Sequence, residues 1–135
     1  MPDELFLPYS KDLHFSALLR PEDDRSLIFE DGSDIAFRLV QRRGIVNNGP
    51  LAGCTLTEWG MHEIGSHYGE GSGYLAFDHA SGDKAYFKFS WTGRGVTTSE
   101  GQSQPVMFGM WSVHGGSGRF ATLSGAGTID IAIPS

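Results

Sequence analysis

Between residues 84 and 91 the chain alternates strictly, with Ala85, Phe87, Phe89 and Trp91 on one side and Lys84, Tyr86, Lys88 and Ser90 on the other. A period of two belongs to an extended strand with one apolar face, because successive side chains of a pleated backbone point to opposite sides. The same rhythm returns at residues 26–30, 35–43, 54–64, 73–78, 106–113 and 128–133, and an eighth run is expected near residues 5–7 or 95–98. Turn chemistry separates the runs: Asp31-Gly32-Ser33, Asn47-Asn48-Gly49-Pro50 and Ser81-Gly82-Asp83 all offer residues suited to reversing the chain. No long helical pattern interrupts the series. The expected fold is therefore all-β, a single antiparallel barrel of about eight strands closed by the run at 128–133.

A chain of 135 residues makes one domain and buries a core without staples. The first 25 residues contain three prolines and the acidic cluster Glu22, Asp23 and Asp24. They read as an N-terminal arm laid over the barrel, with a turn of helix at 15–19, and residues 26–135 form the barrel domain.

Alternation also assigns faces. Leu75 and Phe77 join the odd face of 84–91 in the interior, as do Ile129, Ile131 and Ile133. In the second run Ile35, Phe37 and Leu39 are expected inside, which carries Gln41 with them. The run at 54–64 admits two registers. With Cys54 and Leu56 inside, Glu58, Gly60 and His62 follow; the opposite register buries Trp59 and Met61 and leaves Glu58 on a solvated face. In the first register a carboxylate stands in an apolar lumen, where it can act as a general acid or base. Glu58 and His62 are then the catalytic candidates, and Phe37, Gln41, Cys54, Phe77, Phe89, Trp91 and Trp111 the walls of the substrate pocket. Four residues of strand separate Glu58 from His62 by roughly 13 Å, so the two are expected to act on different parts of a ligand without bonding to each other.

Near the C-terminus a glycine-rich stretch runs Gly115-Gly116-Ser117-Gly118-Arg119-Phe120, with Gly125 and Gly127 downstream. It reads as strand, tight turn, one helical turn and closing strand, with Phe120 and Leu123 plugging the end of the core. This stretch resembles the Gly-Gly-Thr/Ser-Gly-x-Phe signature of the allene oxide cyclase and dirigent superfamily of calycin-like barrels. The resemblance implies an eight-stranded antiparallel barrel around an apolar pocket that folds a flexible or reactive intermediate by shape, with no cofactor. It also implies association of copies, since related barrels are commonly oligomeric.

Other chemistries find little support. A formal charge of −6 argues against a phosphate backbone as partner, so no nucleic acid is expected, and no apolar run approaches the length of a bilayer span. The acidic N-terminus lacks the pattern of a secretory signal, and the lone Cys54 has no partner for a disulfide or a zinc knuckle, which together suggest a cytoplasmic protein. Five histidines raise the question of a metal, but His62 and His67 are five apart across Gly65 and Ser66, which is not ligand spacing on a strand; no metal and no cofactor are expected. Neither Gly69–Gly73 nor the C-terminal glycines open a phosphate-binding loop. Arg38, Arg42 and Arg43 fit a solvated face better than an anion site. Trp59, Tyr74 and Tyr86 on an outer face would form an apolar patch, and a dimer or trimer is expected. Two functions remain: a cofactor-independent cyclase or isomerase acting on an apolar small molecule in the lumen, or a non-catalytic barrel that holds a lipid-like or aromatic ligand there.

Overall fold

The computed structural model describes residues 13–66, 68–97 and 103–131. Seven strands, β1 (Arg20–Ile28), β2 (Ala36–Ile45), β3 (Thr55–Ile64), β4 (Tyr68–Asp78), β5 (Lys84–Thr97), β6 (Ser103–Gly116) and β7 (Ala126–Ile131), form one antiparallel sheet in the order of the sequence. The fold is all-β, and a single 3-10 turn at Gly118–Phe120 is the one helical piece among the described residues. No hydrogen-bonded pairing joins β1 to β7 there, so the closure expected at the C-terminal strand is absent from the described residues. Of the places proposed for an eighth strand, residues 5–7 lie outside the described residues and residues 95–97 belong to the end of β5.

One face of the sheet is buried. Across it, Leu56, Phe77 and Ala85 form one row, and Glu58, Leu75, Phe87 and Val113 the next. A third row is Gly60, Gly73, Phe89, Trp111 and Gly127, and a fourth is His62, Gly71, Trp91, Gly109 and Ile129. The odd residues of 84–91 are buried and the even ones exposed, as their alternation predicts. Phe120 and Leu123 are buried at the end marked by the β4–β5 turn. Asp83 of that turn accepts hydrogen bonds from the backbone N–H and Nε of Arg119, both at 3.3 Å, and so fixes the 3-10 turn against the sheet.

The arm differs from expectation. Residues 15–19 run extended, and Ala17 bridges Val46. Leu13, Phe15, Ala17 and Leu19 alternate onto the core while His14, Ser16 and Leu18 face out, so period two wins over a helical turn. The Phe15 ring packs edge-on against Phe77 at 5.3 Å and Phe87 at 5.9 Å. The arm also ends earlier than residue 25, because β1 takes in the acidic cluster. Pro21 is tolerated on an edge strand, and the acids meet arginines of β2: Asp24 pairs with Arg38 through two hydrogen bonds, and Glu22 lies 3.4 Å from Arg43.

The second run is turned over relative to the reading of its sequence. Ala36, Arg38, Val40 and Arg42 share the buried face with β3, while Phe37, Leu39 and Gln41 occupy the other. The apolar residues there are nearly continuous, so alternation does not choose between faces. Ion pairs accompany the observed face: Arg38 reaches Asp24, its diagonal neighbour on β1, and Arg42 lies opposite Glu58.

Candidate functional site

The register of β3 places Leu56, Glu58, Gly60 and His62 on the buried face. Glu58 is 6% exposed and His62 4%, which leaves neither with much water. They meet each other instead: Nε2 of His62 and Oε2 of Glu58 are 2.9 Å apart. This corrects the expectation that four residues of strand keep them apart. The backbone rise is real, but the position between them is Gly60, and both long side chains lean into the space it leaves. A Cβ at residue 60 would stand 2.7 Å from Oε2 of Glu58 and 2.8 Å from Nε2 of His62.

Three other side chains complete the site. Arg42, cross-strand partner of Glu58, brings Nη1 to 3.9 Å from Oε1, the carboxylate oxygen that His62 does not use. Arg38 lies opposite His62, but its guanidinium is held by Asp24. Trp91 packs its indole against the His62 imidazole, with centroids 5.2 Å apart and planes at 64°. The indole has room because its strand neighbour is Gly71: a Cβ there would overlap Nε1 and stand 2.7 Å from Cε2.

The chemistry of this arrangement follows from the donor inventory. A carboxylate at Glu58 accepts the hydrogen on Nε2, which leaves the lone pair of the imidazole on Nδ1. Nδ1 has no hydrogen-bond partner among the described residues. A histidine oriented by a carboxylate in this way is a general base whose tautomer is fixed before a substrate arrives. The indole beside it removes water from one side of the ring.

The remaining pocket candidates are divided by the fold. Phe77, Phe89, Trp91 and Trp111 share the buried face with the pair, and Cys54 is buried at the end of the same core. Trp111 stacks on Phe87 at 5.0 Å, so its faces are taken up by packing. Burial pushes the Cys54 thiol above its ordinary value, which keeps it a small core residue rather than a nucleophile. Phe37 and Gln41 are on the opposite face and cannot line a site with Glu58. Gln41 instead borders a shallow groove of about 390 Å³ with Asp23, Arg25, Leu39, Trp59 and Met61. Among the described residues no group of three His, Cys, Asp or Glu side chains could hold a metal ion, and no helix is long and apolar enough to cross a membrane. Sequence reasoning missed Arg42 and the role of Gly60. The available signal was Glu-x-Gly-x-His, in which two long polar side chains flank a residue with none.

No protein-family model, curated protein or solved structure matches the chain.

Proposed function

We propose that this chain is a cofactor-independent isomerase or cyclase that moves a proton on a small, largely apolar molecule. The observation that carries the reading is the buried Glu58–His62 hydrogen bond over Gly60, roofed by Trp91. In this reading His62 takes the proton at Nδ1, Glu58 steadies the imidazolium that forms, and Trp91 holds the apolar body of the ligand. A base of this kind contributes about 10²–10⁴-fold to a proton transfer. The resemblance of the C-terminal glycine motif to the allene oxide cyclase and dirigent superfamily supports the same reading, since that superfamily works by shape and needs no cofactor. A cytoplasmic location and association of copies belong to the proposal.

The test uses nitrobenzisoxazole, a flat neutral probe of bases in apolar sites. Removal of its ring C–H proton forms a nitrile as the N–O bond breaks, releasing a coloured cyanonitrophenolate. The native protein should accelerate this reaction above free imidazole and acetate. Glu58→Gln and His62→Ala should each lower the rate by about 10²-fold while the unfolding transition remains cooperative. Equal rates in all three proteins would leave a binding protein as the better account.

A further inference from the structure

Arg38 and Arg42 point to the same face of β2, two strand positions either side of Val40, yet their circumstances differ. Arg38 is held in place: Asp24 engages both Nε and Nη2 of its guanidinium. Arg42 makes one long ion pair, 3.9 Å to Oε1 of Glu58, and no hydrogen bond among the described residues. A guanidinium carries five N–H donors in a planar fork that suits two oxygens of one carboxylate. At 3.9 Å the Glu58 oxygen is beyond hydrogen-bond length, and its carboxylate is already turned toward His62. Arg42 thus keeps its donors uncommitted, with its side chain 31% exposed while that of Glu58 is 7% exposed. It is the cation of the site that an incoming group can reach.

We propose that Arg42 is the anchor for a carboxylate on the ligand, so that the substrate class is a small carboxylic acid with an apolar, preferably aromatic, body. This rests on the acid–base reading of Glu58 and His62 and adds to it the group that orients the substrate. The carboxylate sits on the Arg42 fork at one end of the row and the apolar body lies along the glycine-spaced strip toward Trp91. The space over Gly60 is filled by the Glu58–His62 pair itself, so the carbon next to the carboxylate has to stand at Nδ1, on the other side of the imidazole. A proton taken there leaves negative charge on the carboxylate oxygens, next to the guanidinium already bound to them. Glu58 competes with the ligand for Arg42, so the site carries its own weak occupant.

Phenylacetate and phenylacetamide have the same shape and differ in charge. Calorimetric titration of the full chain should show phenylacetate binding roughly tenfold tighter than the amide. Arg42→Met should erase that difference, and Arg42→Lys should restore part of it, because charge returns without the planar fork. Glu58→Gln gives the decisive sign: it removes the competing carboxylate, so phenylacetate affinity should rise severalfold while proton transfer on nitrobenzisoxazole falls. Binding and proton transfer therefore fail separately. Equal affinity for acid and amide, no binding of either, or weaker phenylacetate binding in Glu58→Gln overturns the role of Arg42 as anchor. The benzisoxazole rates alone decide the base.

Discussion

Gly71 and Trp91 are cross-strand partners, and the indole of the second lies over the backbone of the first so closely that a Cβ at 71 would overlap it. The glycine is a socket rather than a turn. Trp91 in turn packs against the His62 imidazole at 5.2 Å, so an alteration on β4 reaches the acid–base pair on β3 through one rigid ring.

Gly71→Ala should accordingly displace the indole instead of being absorbed by a flexible neighbour. Overpacking of this kind costs about 1–3 kcal/mol. Urea unfolding should show that loss, together with a change in the near-ultraviolet dichroism of the native state. An unaltered tryptophan spectrum would show that the socket is not filled.

Gly60→Ala has a different signature. The atoms its Cβ would meet are the tips of two side chains, Oε2 of Glu58 and Nε2 of His62, which can swing away. The expected result is a loss of about 1–3 kcal/mol, because the pair is broken and two buried polar groups lose their partner. A resonance far downfield is expected in the NMR spectrum of the native protein for the proton of the Glu58–His62 hydrogen bond, and it should be absent from the variant. Proton transfer on nitrobenzisoxazole should fall with it.

Phe15 belongs to an arm that the reading of the sequence treated as a cover, yet its ring touches Phe77, Phe87 and Trp111. Half-buried as it is, replacement by alanine should cost about 2–3 kcal/mol. Thermal unfolding measures this. A loss within a few tenths of a kcal/mol would mean that the arm rests on the core without supporting it.

Acid should loosen the corner at Asp83. The backbone N–H of Arg119, then the Ser81 hydroxyl, then the Arg119 side chain hold its carboxyl below the ordinary carboxylate range. A depressed folded value gives stability that is complete above the unfolded value, near 3.9, and is lost as pH falls through the folded value. Asp83→Asn should therefore be less stable than the native protein at neutral pH, and the gap should narrow below about pH 4. A gap that stays constant through acid would locate the effect elsewhere.

The open face carries Trp59 at 53% exposure and Met61 at 50%, with Tyr74 and Tyr86 also exposed. Two or three copies associating through this face would cover it. Light scattering should return a multiple of 14.7 kDa at micromolar concentration, and Trp59→Lys should reduce it toward the single-chain mass. A single-chain mass for the native protein would remove association from the proposal.

Much of this molecule was legible where polar and apolar residues alternate without fault. The buried odd face of β5 and the plug made by Phe120 and Leu123 follow directly from period and glycine placement. β2 was not legible. Residues 35–40 are mostly apolar on both parities, and the ion pairs that go with the observed face join segments distant in sequence, Asp24 with Arg38 and Glu58 with Arg42. The acidic cluster and the arginine cluster were each visible alone; that they are rungs of one ladder is a tertiary fact. The burial of Glu58 was one of two registers, whereas its bond to His62 required knowing how side chains lean over a glycine, which strand rise by itself does not contain.

The order of the sheet also bears on how the chain finds its structure. Each strand is hydrogen-bonded to the strand that follows it, so successive hairpins can zip with short loop closures and modest entropy cost. The arm is the exception: Phe15 docks on Trp111, which comes from β6, so its contacts cannot form until most of the meander stands. Its interactions should accordingly be absent from the folding transition state, and Phe15→Ala should accelerate unfolding while leaving the refolding rate nearly unchanged. The arm would then act as a latch on lifetime, governing how long the native state persists and not how quickly it is reached.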